Sequence, residues 1–217
     1  MVRKFKRPRN KQELESLEVG GLWKGIILSK KIAESGEKIT LDAILRIHRV
    51  IFEFAIPEAA GAFRKSGQDV KKLTYIEPPP GRLVQERIYA FARELDVRIA
   101  KIPRQSAIKS NSQRKKWLNS VFDLAAWVQY QITAIHPFCE GNGRMARLMT
   151  NLILRRFGIH SSQVKIEGED KPRYLSALGQ IDNHLDFEPL KRIIIESAVA
   201  TLQKEEKSRK NIQKKYA

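Results

Sequence analysis

Apolar positions recur at helical spacing along most of the chain. In TLDAILRIHRVIF (40–52), Leu41, Ile44, Leu45, His48 and Ile51 share one face behind Thr40, whose hydroxyl suits a helix start. RLVQERIYAFARELDVRIA repeats the pattern through Val84, Ile88, Phe91, Leu95 and Ile99. WLNSVFDLAAWVQYQITAI (117–135) is more apolar still and runs directly into His136. RMARLMTNLILRRFG predicts a further helix closed by Gly158, a residue type favoured just past a helix end. A last long helix is expected after Asp186, through Leu190, Ile193, Ile194 and Ala198. Strand signal is confined to Val70–Ile76, mildly alternating and blocked by Pro78, Pro79 and Pro80, which reads as a short exposed hairpin. The pattern predicts an all-α domain carrying one β-hairpin flap.

Composition narrows this picture. The 217 residues are 42% hydrophobic with no shift in composition along them, enough for one substantial core. Apolar runs such as that around Ile193 to Ile195 fall short of the about 20 residues that cross a bilayer, so a soluble protein is expected. The basic MVRKFKRPRNK leads into QELESLE, unlike a secretory signal, and cytoplasmic residence is the default expectation. Cys139 is the only cysteine, which excludes an internal disulfide and a multi-cysteine metal site; it reads as a space-filler before a nucleophile.

The net charge of +17 is concentrated in the N-terminal stretch, in KIPRQSAIKSNSQRKK (101–116) and in KEEKSRKNIQKKYA. Such a surface attracts nucleic acid and other polyanions in a salt-dependent way, or is simply a set of solvated termini and a loop. Neither zinc-finger spacing, an RNP signature nor an aromatic-interleaved basic stripe accompanies it, so specific nucleic-acid readout is unsupported.

The candidate chemistry lies in HPFCEGNGRMAR (136–147). His136 ends one predicted helix and Arg144 opens the next. Gly141 and Gly143 leave the loop bare, and the following helix start adds free amides and a positive dipole end, an arrangement that suits an anion. Arg144 and Arg147, three apart, share a face from which to clamp phosphate oxygens. Glu140 beside an anion pocket makes sense with a cation between, such as Mg²⁺ held by one carboxylate, phosphate oxygens and water. His136 is the group in this stretch suited to taking a proton at neutral pH. Each piece alone is commonplace; together they describe transfer of a phosphate-containing group to a hydroxyl.

HPFCEGNGRMAR resembles, at every fixed position, the signature HxFx(D/E)GNGRxxR of the Fic-domain family, and GAFRKSGQDV…YIEPPP and GQIDNHLDFEPL resemble the family's flap and the segment after its core. The resemblance implies a Fic-type helical bundle over residues 40–200, preceded by an N-terminal helical segment (1–39) and followed by a basic tail (201–217). It implies AMP transfer from ATP, with Mg²⁺, to a Ser, Thr or Tyr hydroxyl of a target protein, self-modification included. His136 would be the general base, Phe138 a buried anchor, Glu140 the metal ligand, Gly141, Asn142 and Gly143 the anion hole, and Arg144 and Arg147 the clamp on the outer phosphates. The flap, about residues 69–76, would align the target by strand addition. Tyr174 and Asn183 would contact adenine or ribose, or serve as a core tyrosine and a helix-ending asparagine.

Many members of this family carry an inhibitory helix with [ST]xxxE[GN], whose glutamate pairs with the second motif arginine. Here SLEVGG (16–21) fits from Ser16 except that Gly20 stands where the glutamate belongs. The chain therefore reads as lacking its brake, with the outer phosphate site at Arg147 open; the alternative is that Gly20 and Gly21 form a cap and turn between two helices. Thr201 to Glu205 is a near-match in a highly charged segment, where chance suffices. Other readings are a Fic-fold transferase of another phosphate-containing group, a de-AMPylase, or a basic nucleic-acid-associated binding protein.

Overall fold

The computed structural model describes residues 8–68, 70, 77–164 and 168–216, with side chains at 212 and 214–216 left aside. Its α-helices are α1 (Lys11–Ser35), α2 (Leu41–Phe52), α3 (Gly81–Lys101), α4 (Asn111–Ile135), α5 (Asn142–Arg156), α6 (Asp170–His184) and α7 (Glu188–Tyr216). There is no strand among the described residues, and the predicted hairpin lies, Val70 apart, outside them.

The centre is the pair α4 and α5, joined by the tight turn that carries the motif; α1 packs on α5 and α2 on α1, while α3 and α7 flank α4. The second half of α4 is buried nearly all round, through Leu124, Ala125, Val128 and Ile132, as a central helix must be. It begins earlier than its apolar pattern because Ser110 and Gln113 form a reciprocal capping box ahead of a polar first turn. Thr40 caps α2 through the Ala43 amide, as expected. Helix α7 runs past residue 201 without a break, so the basic tail is the second half of a helix.

The glycine pair of α1 does not make a turn: the helix is continuous from Lys11 to Ser35. A Cβ at Gly21 would run into the Ile51 carbonyl of α2, so glycine here is required by close helix approach and its propensity cost is accepted. Gly20 faces open space.

Candidate active site

His136 is the C-cap of α4 and one of two non-glycine residues at positive φ among those described (φ 49). Its ring is 7% exposed. Nδ1 lies 3.2 Å from the Thr133 carbonyl, which can only accept, so Nδ1 carries the proton and Nε2 is left basic. Burial pushes the imidazole below the ordinary histidine value; the Thr133 bond opposes this and the nearby Arg64 charge reinforces it. The ring is therefore neutral at neutral pH, the state a general base needs.

The loop after it is held from below. Phe138 is fully buried and stacks on the His48 ring at 3.8 Å and 5°. Asn142 accepts from the Phe138 amide at 2.9 Å and donates to its carbonyl at 2.7 Å, closing the turn on itself. His48, reaching in from α2, is also buried: Nε2–H donates to the Glu140 carbonyl at 3.0 Å, and Nδ1 accepts the Gly61 amide at 2.9 Å. A protonated ring would oppose two N–H groups at Nδ1, and burial brings the pKa down to about 4. Sequence reasoning placed His48 only on an apolar helix face; a histidine in a buried stripe was the available signal.

Gly141 sits at φ 80 as the N-cap of α5, and no side-chain cap bond closes that helix start. A Cβ at Gly141 would overlap the Phe52 ring. The first amides of α5, at Asn142, Gly143 and Arg144, thus precede the first intrahelical bond, from Met145 to the Gly141 carbonyl. Asn142 is 4% exposed and its side chain is spent within the loop, which leaves its backbone amide as the group an anion could meet.

Arg144 and Arg147 are both half-buried, on one face of α5. Arg144 lies over the Phe52 ring, 4.5 Å from its centroid, and donates to Glu18 of α1 at 3.0 Å. The helix that was expected to have lost its acid therefore places one on Arg144, two residues before Gly20 and on the first motif arginine. Residues i and i+2 of a helix point to different sides, which is why Glu18 faces α5 while Ser16 and Gly20 are exposed.

Glu140 is exposed at the loop tip. No group of three His, Cys, Asp or Glu gathers among the described residues, and Glu140 is the single carboxylate of the 136–147 stretch. Tyr174 is buried, and its hydroxyl accepts from Gln129, which in turn accepts from Thr150; the structure places it in a core network. Asn183 is exposed in the last turn of α6, beside Asp182, which accepts from Tyr130 near the end of α4.

A model of the Fic/DOC family matches residues 38–154, more than half the chain. The chain belongs to the Fic/DOC family. It is 31% identical over 193 residues to protein adenylyltransferase Fic of Nematostella vectensis, covering 88% of this chain and 40% of that protein. A fragment of Fic-1 from C. elegans has a similar structure, with TM-score 0.64 and 25% identity over 97% of this chain and 55% of that one. BepC of Bartonella tribocorum, solved with bound AMPPNP, shares the fold at TM-score 0.59 and 15% identity, covering 87% and 88% of the two chains. The chain spans 40% of the length of the Nematostella relative and 31% of that of its Aedes aegypti counterpart. No described helix of this Fic-family chain is long and apolar enough to cross a membrane.

Proposed function

We propose that this Fic-family chain is a protein adenylyltransferase that moves AMP from ATP to a hydroxyl of a target protein. The observation that carries the reading is the juxtaposition in one turn of a neutral histidine, whose Nε2 has no hydrogen bond among the described residues, and a helix start without a side-chain cap, flanked by two arginines. In this mechanism the target hydroxyl gives its proton to Nε2 of His136. Its oxygen bonds to the α-phosphorus, the bond to the bridging oxygen breaks, and pyrophosphate leaves. The amides of Asn142, Gly143 and Arg144 bind the phosphate oxygens, and Arg144 and Arg147 hold the outer phosphates. Glu140 would hold Mg²⁺, which neutralises charge on the phosphates when bound.

Burial of Tyr174 supports its core role, leaving Asn183 as the better candidate for a ribose or base contact. Residues 69–76 would dock the target, self-modification included, and the lone thiol of Cys139 supports a reducing, cytoplasmic setting.

The test is incubation with Mg²⁺ and ATP labelled separately at the α- and γ-phosphates, following label into protein. Incorporation of α-label alone is expected. Incorporation of γ-label would replace this reading with a kinase.

Pairing of Glu18 with Arg144 competes with an outer phosphate for the guanidinium. Glu18→Gln is expected to lower the KM for ATP about fivefold, the equivalent of about 1 kcal/mol for a partly buried ion pair. Gly20→Glu, on the exposed side, leaves KM unaltered. An unchanged KM in Glu18→Gln would remove Glu18 from the clamp.

A further inference from the structure

Arg64, in the segment between α2 and α3, is a charged side chain only 3% exposed. Its Nε–H donates to the His136 carbonyl at 2.6 Å, and Nη2 donates to the Pro79 carbonyl at 2.5 Å and the Ile135 carbonyl at 3.3 Å. Its own backbone amide donates to the Pro137 carbonyl at 2.9 Å. One residue thus binds consecutive carbonyls at 135, 136 and 137 and the far foot of the flap segment.

The carbonyls explain why a buried cation is tolerated here. The last carbonyls of α4 have no helical partner and carry the negative end of its dipole, and the planar guanidinium presents several donors in a fixed fork to meet them. They also bracket His136, whose left-handed backbone a residue with a Cβ does not adopt unaided. On the flap side, Lys65 lies so close to Gly81 that a Cβ there would run into the Lys65 carbonyl, so the two feet of the 65–80 segment touch where Arg64 joins them.

We propose that Arg64 is a positioning residue for His136, locking the turn that carries the base and tying it to Pro79 just ahead of α3. This rests on the adenylyltransferase reading and deepens it. A lysine keeps the charge and the aliphatic stem but cannot bond several carbonyls in one plane. Displacing a reacting group by about 1 Å costs on the order of 100-fold in rate.

The test compares wild type with Arg64→Lys and Arg64→Gln, measuring AMP transfer, thermal melting and, by NMR, titration of the His136 ring, assigned by its loss in His136→Ala. Arg64→Lys is expected to remain folded, with kcat down about 10- to 100-fold and the KM for ATP changed less than twofold. In Arg64→Gln, His136 is expected to titrate at higher pH than in wild type, because the neighbouring cation is gone. A folded Arg64→Lys that transfers AMP within threefold of wild type would overturn the proposal, as would a kcat loss matched by the unfolded fraction. If wild type transfers no AMP, the functional reading fails on its own. The backbone amide shifts at Ile135, His136 and Phe138 then decide the positioning role: their displacement in a folded Arg64→Lys supports it and unchanged shifts overturn it.

Discussion

Replacing His136 with alanine is expected to lower AMP transfer by about 10²- to 10⁴-fold, the range that a positioned general base supplies. The KM for ATP should hardly move, because the phosphates are bound by the start of α5 and its arginines. Folding should survive as well, since the ring makes a single hydrogen bond, to Thr133, among those described. The pH profile of the wild type carries the complementary signature. Burial lowers the pKa of His136, so the neutral, active form persists as pH falls through the usual histidine range near 6.5, and the acid limb of the rate lies below that value. Transfer of α-label, measured from pH 5 to 8 for both proteins, checks this. An alanine variant within tenfold of wild type removes His136 as the base.

Gly141→Ala is expected to damage both fold and activity. The residue sits at φ 80, a conformation that costs an L-residue roughly 1–2 kcal/mol. Its new methyl would overlap Phe52, which is fully buried and hemmed in by the core. Overpacking of this kind adds typically about 1–3 kcal/mol, for a total of about 2–5 kcal/mol, read as a fall in the urea midpoint with unchanged slope. If the site gives by moving the loop instead, the amides of Asn142 and Gly143 leave their positions, and AMP transfer falls about 100-fold with much of the stability kept. A variant that is both as stable and as active as wild type would show that the turn does not need glycine. Gly67→Ala is the control: it is also at positive φ, at 79, but a Cβ there meets nothing within 4 Å, so only the backbone cost applies.

How much of this was legible in the sequence follows from where each signal lies. The motif from His136 to Arg147 is contiguous, so its residues declared themselves together, and the helices with a clean apolar stripe, α2 and α3, were readable to within a residue or two. Helix α6 was not read from periodicity, because it buries small residues such as Ala177 and Gly179 beside Leu178 and Ile181. The early start of α4 depends on a capping box in a polar stretch, where apolar spacing is silent. Gly20 and Gly21 look alike in sequence but face opposite environments, and only packing against Ile51 distinguishes them. The supporting residues of the site were the hardest. His48 and Arg64 act on the motif across 92 and 72 residues of chain, through backbone carbonyls that leave no side-chain pattern to match. Glu18 meets Arg144 across 126 residues, where a pattern search looks for an acid at a fixed offset from Ser16 and so passes over it.

The stacking of Phe138 on His48, with Asn142 folded back onto it, makes the motif turn part of the same cooperative unit as the core. Its amides should exchange with solvent only through openings nearly as rare as global unfolding, whereas those of α1 near Glu18 should exchange through smaller, local ones. A protein built this way cannot be turned off by melting its active site without being lost altogether. Regulation of such a site is expected to act through the segments laid over it, as Glu18 of α1 lies on Arg144.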